Sequence, residues 1–192
     1  EDHDASAQRR GEMDWANRLR WAIEENRLVL AYQELHPLNP DLQGEGVHIE
    51  LLLRLSDESG NLVMPGAFLP AAERFGLMPR IDRWVIDTAL ANFDRLHPSG
   101  AALATCSINL SGTSLEDDGI IDFVVDALAR HHVEPRLVLF EITETAAMRN
   151  LRRASELIAK LRAMGCRIAL DDFGAGMSSF GYLKNLAIDT IK

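Results

Sequence analysis

The chain has 192 residues, 47% of them hydrophobic, and a formal net charge of −9, which allows one sizeable core and leaves little room for two domains. The acidic balance excludes a protein that grips long nucleic acid by neutralising phosphates, since that needs clustered Lys and Arg. A small anionic ligand stays open, because a bound divalent cation can reverse the local field.

Residues 1–12 lack apolar periodicity and are expected to form a flexible lead-in. From Met13, the residues Trp15, Leu19, Ala22 and Ile23 recur at helical spacing, which predicts an amphipathic helix to about residue 27. The β-prone run Leu28 to Gln33 reads as a first strand. A loop rich in Asn, Pro and Gly over 37–46 follows, then a second strand from His48 to Leu55 and a turn at Ser59-Gly60-Asn61. Pro65 to Phe75 and Pro79 to Leu96 read as helices, each led by a proline suited to a first turn, with Gly76 between them.

Beyond Gly100 the pattern becomes regular. Strands are expected at Ala104 to Leu110, Leu137 to Ile142 and Arg167 to Phe173, with helices at Asp117 to His131, Asn150 to Met164 and Ser178 to Leu183. Ile188 to Lys192 opens one more strand. Strands that alternate with helices and are apolar almost throughout indicate parallel β-structure covered on both faces, a barrel or a doubly wound sheet. The barrel form is favoured over an open sheet by where the polar residues fall. Asn109, Glu141, Asp171 with Asp172, and Lys192 recur about one strand–helix unit apart at strand ends, and such positions face one another across the top of a (β/α) barrel. Six strands fall two short of eight, so the barrel is read as incomplete at the C-terminus.

Cys106 and Cys166 lack a C-x-x-C partner and read as buried thiols of a reducing compartment, the cytoplasm. No apolar run reaches the ~18 residues that span a bilayer, and no secretory pattern opens the chain. No membrane contact is expected of this segment, although the parent protein can be anchored elsewhere.

Glu50, Asn109, Glu141, Asp171 and Asp172 are all oxygen donors, the set that hard cations such as Mg²⁺ and Mn²⁺ prefer over zinc. Adjacent carboxylates at a buried strand end repel unless a cation compensates; the plainer reading of Asp171-Asp172 is a helix N-cap and its neighbour. The loop Asp172 to Ser179 can bring backbone amides close to a ligand. Lys192 can stabilise an oxyanion or position a water. Arg54 shares a strand face with Glu50 and can hold a phosphate. His131-His132 reads as a helix end, Trp15, Trp21 and Trp84 as packing anchors, and the basic residues of 150–164 as a solvated face.

The strings Glu50-Leu-Leu-Leu-Arg54, Phe68-Leu-Pro-Ala-Ala-Glu73, Ser107-Ile-Asn-Leu-Ser111, Glu141-Ile-Thr-Glu144 and Asp171-Asp-Phe-Gly-Ala-Gly-Met-Ser-Ser179, running on to Ile191-Lys192, together resemble the EAL-domain cyclic-di-GMP phosphodiesterases over about Leu28 to Lys192. The resemblance implies that Glu50, Asn109, Glu141 and Asp171 bind one metal, with Asp171 and Asp172 serving a second, and that a water activated by two Mg²⁺ or Mn²⁺ ions opens cyclic di-GMP to linear pGpG. Lys192 would hold that water, with Glu50 and Asp171 as its catalytic companions. Arg54, Gln33 and Leu52 would contact substrate, and Glu144 would anchor the loop after Asp172. It further implies homodimerisation and an upstream GGDEF or sensor domain, with the helix from Met13 as linker. A catalytically inactive receptor for cyclic di-GMP is the alternative. Three departures stand out: Leu51 replaces the signature Ala, Glu34 follows Gln33 where the family has Pro, and the chain stops before the family's general-base Glu and last two strands.

Overall fold

The computed structural model describes residues 2–36, 46–174 and 181–192. Seven strands form one sheet: β1 (Leu28–Leu35), β2 (Val47–Ser56), β3 (Leu62–Val63), β4 (Leu103–Asn109), β5 (Val138–Thr143), β6 (Arg167–Asp171) and β7 (Thr190–Ile191), in the spatial order β1-β2-β4-β5-β6-β7, with β3 paired to β2. From β2 through β7 every pairing along this path is parallel and follows chain order. A doubly wound sheet reverses its strand order at a switch point. The uninterrupted progression here is that of a barrel wall, and among the described residues the wall stays open, with β1 and β7 at its two ends.

Side-chain alternation gives this wall two unlike faces. Ile49, Leu51 and Leu55 of β2, Cys106 and Ile108 of β4, Val138, Phe140 and Ile142 of β5, and Ile168 and Leu170 of β6 all belong to the buried core. Helices supply the rest of that core: α3 (Met78–Ala91) through Ile81, Val85, Ile86 and Ala89, α5 (Ile120–His131) through Ile120, Val124 and Ala127, and α7 (Leu151–Ala163) through Ala154, Leu157, Ile158 and Leu161. Each set recurs every three or four residues, as a helix lying along a sheet requires. On the other face the strands carry His48, Glu50, Thr105, Ser107, Asn109, Glu141, Arg167 and Asp171. Several of these, with Leu35, Leu139, Thr190 and Lys192, line a cavity of about 250 Å³.

Several expectations need correction. β1 pairs antiparallel with β2, Gln33 opposite Glu50; the eleven residues between these strands fall short of the dozen or more that a parallel crossover takes. The first helix, α1, runs from Asp2 to Glu24, so the expected lead-in is helical: its Ala, Gln, Arg and Glu favour a helix without an apolar stripe, and no proline interrupts them. α2 spans Pro65–Arg74, with proline in its first turn as expected. The helix from Pro79 ends at Ala91 and continues only as a 3-10 turn, Phe93–Arg95. Two short helices, α4 (Gly112–Leu115) and α6 (Glu144–Arg149), were not foreseen; Ser111 and Thr143 cap them by accepting the N–H of Ser114 and Ala146. Residues of the expected loop at 37–45 and of the helix and glycine loop at 175–180 lie outside the described residues; Tyr182–Asn185 forms a 3-10 turn.

Two of the sequence departures have visible consequences. Leu51 is 4% exposed and faces the helices, so it enlarges the core without entering the face that carries Glu50. Glu34 lets the β1 ladder continue through Leu35 opposite His48; its carboxylate takes His97 Nε2 at 2.9 Å and His36 Nε2 at 3.4 Å. His131 rests on Asp87 at 2.9 Å, while His132 closes α5 in the left-handed conformation. Cys106 and Cys166 are both buried and unpaired, and burial pushes each thiol up to about 12. Among the described residues no helix is long and apolar enough to cross a membrane.

Candidate functional site

Parallel pairing brings four elements of the wall together at one spot. Glu50 on β2 stands level with Ser107 of β4, and Asn109 at the end of β4 stands level with Glu141 of β5. Asn109 donates its amide to Glu50 Oε1 at 3.3 Å. Lys192, just beyond β7, sends its ammonium between the two glutamates, 2.9 Å from Glu50 Oε2 and 2.5 Å from Glu141 Oε1. Residues 142 apart in the chain thus share one ion pair.

The electrostatics of this cluster are uneven. Glu141's side chain is fully buried, Glu50's is 19% exposed and Lys192's 26%. Burial pushes the Glu141 carboxyl above the ordinary glutamate value, and the Glu50 charge pushes the same way; the Lys192 ammonium and the Ser107 hydroxyl pull it back. Burial by itself lowers Lys192, but its bonds to Glu141 and Glu50 outweigh that and hold the ammonium above its ordinary value. Glu141 Oε2 is buried and finds no hydrogen-bond partner among the described residues. A buried charged acceptor without a partner carries a desolvation cost of a few kcal/mol or more. Glu50 and Glu141 share a single ammonium, which leaves one negative charge at the cluster, and Asp171 on the next strand adds another, the balance a divalent cation would neutralise.

Asp171 ends β6 opposite Thr143, and its Oδ1 accepts the Asp172 N–H at 2.9 Å. Asp172 itself is exposed, with φ of 55°. The expectation of two carboxylates buried side by side is therefore corrected: successive residues of a strand point to opposite sides, and the left-handed backbone at Asp172 turns the chain away. Among the described residues no group of three or more His, Cys, Asp and Glu side chains stands close enough to form a ready cation cage. The oxygen donors that converge are Glu50, Asn109 and Glu141, with Asp171 on the next strand.

The remaining expected residues lie around this cluster. Arg54 and Leu52 follow Glu50 on the same face of β2, and Gln33 lies across from Glu50 on β1, exposed. Arg54 donates to the Leu53 carbonyl at 2.8 Å, and among the described residues its guanidinium meets no carboxylate. Glu144, 5% exposed at the start of α6, accepts the Gly174 N–H at 2.8 Å and the Tyr182 hydroxyl at 2.5 Å. The Phe173 N–H bonds the Lys192 carbonyl at 3.0 Å, so the chain after Asp172 is tied both to Glu144 and to β7.

Sequence reasoning missed Tyr182 and Asp82. Tyr182 is 6% exposed, and burial, followed by its bond to Glu144, raises the phenol to about 12; nothing local in the sequence marks it. Asp82 did leave a signal, a carboxylate on the apolar stripe of α3 beside Ile81, Val85 and Ile86.

The EAL domain family profile matches residues 16–192. The chain is 40% identical over 178 residues to the cyclic di-GMP phosphodiesterase PdeB of Shewanella oneidensis, covering 93% of this chain and 20% of that protein. It is 39% identical over 174 residues to the bifunctional diguanylate cyclase/cyclic di-GMP phosphodiesterase MucR of Pseudomonas aeruginosa, covering 91% and 25%. It thus spans about a fifth to a quarter of these curated relatives. Among solved structures it is similar to the PaMucR phosphodiesterase in complex with c-di-GMP, with a TM-score of 0.80 and 37% identity over 93% of this chain and 71% of that one. The FimX EAL domain from Pseudomonas aeruginosa bound to c-di-GMP matches with a TM-score of 0.84 and 31% identity, covering 93% and 70%.

Proposed function

The chain belongs to the EAL domain family, and from that premise we propose that it binds cyclic di-GMP over the Glu50 face and hydrolyses one phosphodiester to linear pGpG with Mg²⁺ or Mn²⁺. The observation that carries the reading is the convergence of Glu50, Asn109, Glu141 and Lys192, with one buried Glu141 oxygen that finds no partner among the described residues. That donor set is all oxygen and carries excess negative charge, so it fits a hard divalent cation. Glu50, Asn109, Glu141 and Asp171 would hold one ion, and Asp171 with Asp172 a second. Such ions supply a water of lowered pKa and polarise the phosphoryl oxygens.

The chain's own residues do the rest. Lys192, already between Glu50 and Glu141, places a positive charge where the attacking water and the phosphate must meet. Glu50 and Asp171 orient that water. Arg54, whose guanidinium meets no carboxylate among the described residues, is available to a substrate phosphate, and its planar fork suits that partner. Gln33 and Leu52 flank the same surface and contact the base. Glu144 keeps the segment after Asp172 in place through Gly174 and Tyr182.

The second reading is a receptor that binds cyclic di-GMP without cleaving it. It is favoured by the Lys192 ammonium, which pairs both glutamates and so competes with a cation for them. Titrating cyclic di-GMP into the full-length protein with Mg²⁺, Mn²⁺ or chelator, while following pGpG by chromatography, separates the readings. Cation-dependent pGpG supports the enzyme, binding without product supports the receptor, and no binding refutes both. We also propose that residues 28–192 form the phosphodiesterase unit, that the helix around residues 13–27 links it to a GGDEF or sensor domain, and that it works in the cytoplasm as a homodimer.

A further inference from the structure

Asp82 is 4% exposed on the core-facing side of α3, where a carboxylate is costly unless its oxygens are answered. Its Oδ2 accepts the Ser111 N–H at 2.9 Å and the Ser114 hydroxyl at 2.7 Å. Burial pushes this carboxyl up, and the two serines pull it back. Neighbouring Arg83 is occupied with Asp117, at 2.6 Å. Asp82 is therefore committed to the turn that follows β4.

That turn begins at Asn109. The Leu110 N–H bonds the Glu141 carbonyl at 2.8 Å, while the Ser111 N–H, one residue on, bonds Asp82. The backbone leaving Asn109 is thus gripped from the sheet on one side and from α3 on the other. This matters because Asn109 is itself exposed. Packing does not hold its side chain, and its amide reaches Glu50 Oε1 over 3.3 Å only because the backbone aims it. The same turn is seated firmly beyond Ser111: Ser111 accepts the Ser114 N–H at 3.2 Å, and a Cβ on Gly112 would come within 3.2 Å of the Ala146 Cβ on α6. α4 therefore lies against the helix that begins with Glu144.

We propose that Asp82 is a positioning residue for the site, holding Asn109 in its cation-binding orientation through Ser111 and Ser114. The proposal rests on the divalent-cation reading given above. Outer partners of this kind typically change metal affinity by roughly 10–100-fold when removed. The test measures Mn²⁺ binding to the full-length protein by the loss of the free-ion electron paramagnetic resonance signal, without substrate. Asp82→Ala is expected to weaken Mn²⁺ binding by roughly 10–100-fold. Asp82→Asn, whose amide oxygen accepts the same two bonds, stays near the unaltered protein. Val85→Ala, a truncation on the same buried stripe, lowers thermal stability but leaves Mn²⁺ affinity unchanged. Ser114→Ala removes one donor without touching α3 and weakens binding in the same direction as Asp82→Ala, which keeps the test alive if that variant fails to fold. In turnover, the Mn²⁺ concentration for half-maximal rate rises while the rate at saturating Mn²⁺ holds. Asp82→Ala or Ser114→Ala binding Mn²⁺ as tightly as Val85→Ala overturns the proposal. If the unaltered protein binds no Mn²⁺, the cation reading itself has failed and the proposal falls with it.

Discussion

Replacing Lys192 by Met keeps the length of the side chain and removes the ammonium that compensates Glu141. Breaking a buried pair by deleting one partner costs about 3–5 kcal/mol. Glu141 is fully buried, but Lys192 keeps 26% exposure and Glu50 19%, so solvent screens part of the interaction and we expect about 2–3 kcal/mol at pH 8 in chelator. The loss should depend on pH in a definite sense. Burial raises the Glu141 carboxyl in the folded protein above its ordinary 4.5. Stability from a raised carboxyl is fully present below the unfolded value and is lost as pH rises through the folded one. Without the ammonium the folded value rises further, so the deficit of Lys192→Met grows as pH climbs from about 4.5 and nearly closes below it. Urea unfolding followed by tryptophan fluorescence at pH 4.5 and pH 8 reads this as a difference in midpoint at constant slope. Added Mn²⁺ should recover part of the pH 8 loss, since a ligand that binds only the folded state stabilises it. Equal losses at both pH values would refute the reasoning, as would no loss at pH 8.

Glu144→Gln removes the charge that receives Gly174 and Tyr182; the Tyr182 phenol, now at about 12, should move toward 10.0 in a titration followed at 295 nm. Because the folded phenol holds its proton more tightly, its stabilising contribution is complete below pH 10 and disappears as pH approaches 12; the variant should show less of this alkaline loss. Arg54→Ala should raise KM for cyclic di-GMP roughly tenfold to a hundredfold, the worth of a charge-assisted bond to phosphate, with Mn²⁺ affinity unchanged in the same paramagnetic resonance assay. A change in Mn²⁺ affinity without a change in KM would place Arg54 with the cation and not the substrate.

Much of the wall was legible because strand and helix periods are local properties of the chain. The apolar runs at Leu103–Asn109, Val138–Thr143 and Arg167–Asp171 stand near where they were expected, each ending near an oxygen donor that a plain core would reject. Chain-order recurrence of those donors pointed to a barrel wall, and the parallel pairings place Asn109 level with Glu141. The short helices α4 and α6 were missed because four and six residues are too few to show a period, although their Ser and Thr caps are written in the sequence.

What the sequence by itself determined is the main strands and long helices, their order and the oxygen-rich chemistry at the strand ends. It could not determine which carboxylates face one another, since that depends on side-chain direction at the strand ends: Glu50 and Glu141 meet at Lys192, and Asp171 lies on the wall while Asp172 is exposed. Nor could it join Lys192 to Glu50, Asp82 to Ser111 or Tyr182 to Glu144, contacts spanning 142, 29 and 38 residues. Tertiary structure alone decided these. Burial withdraws water from each carboxylate, and the only replacement donors are those that the closing of the fold brings within reach.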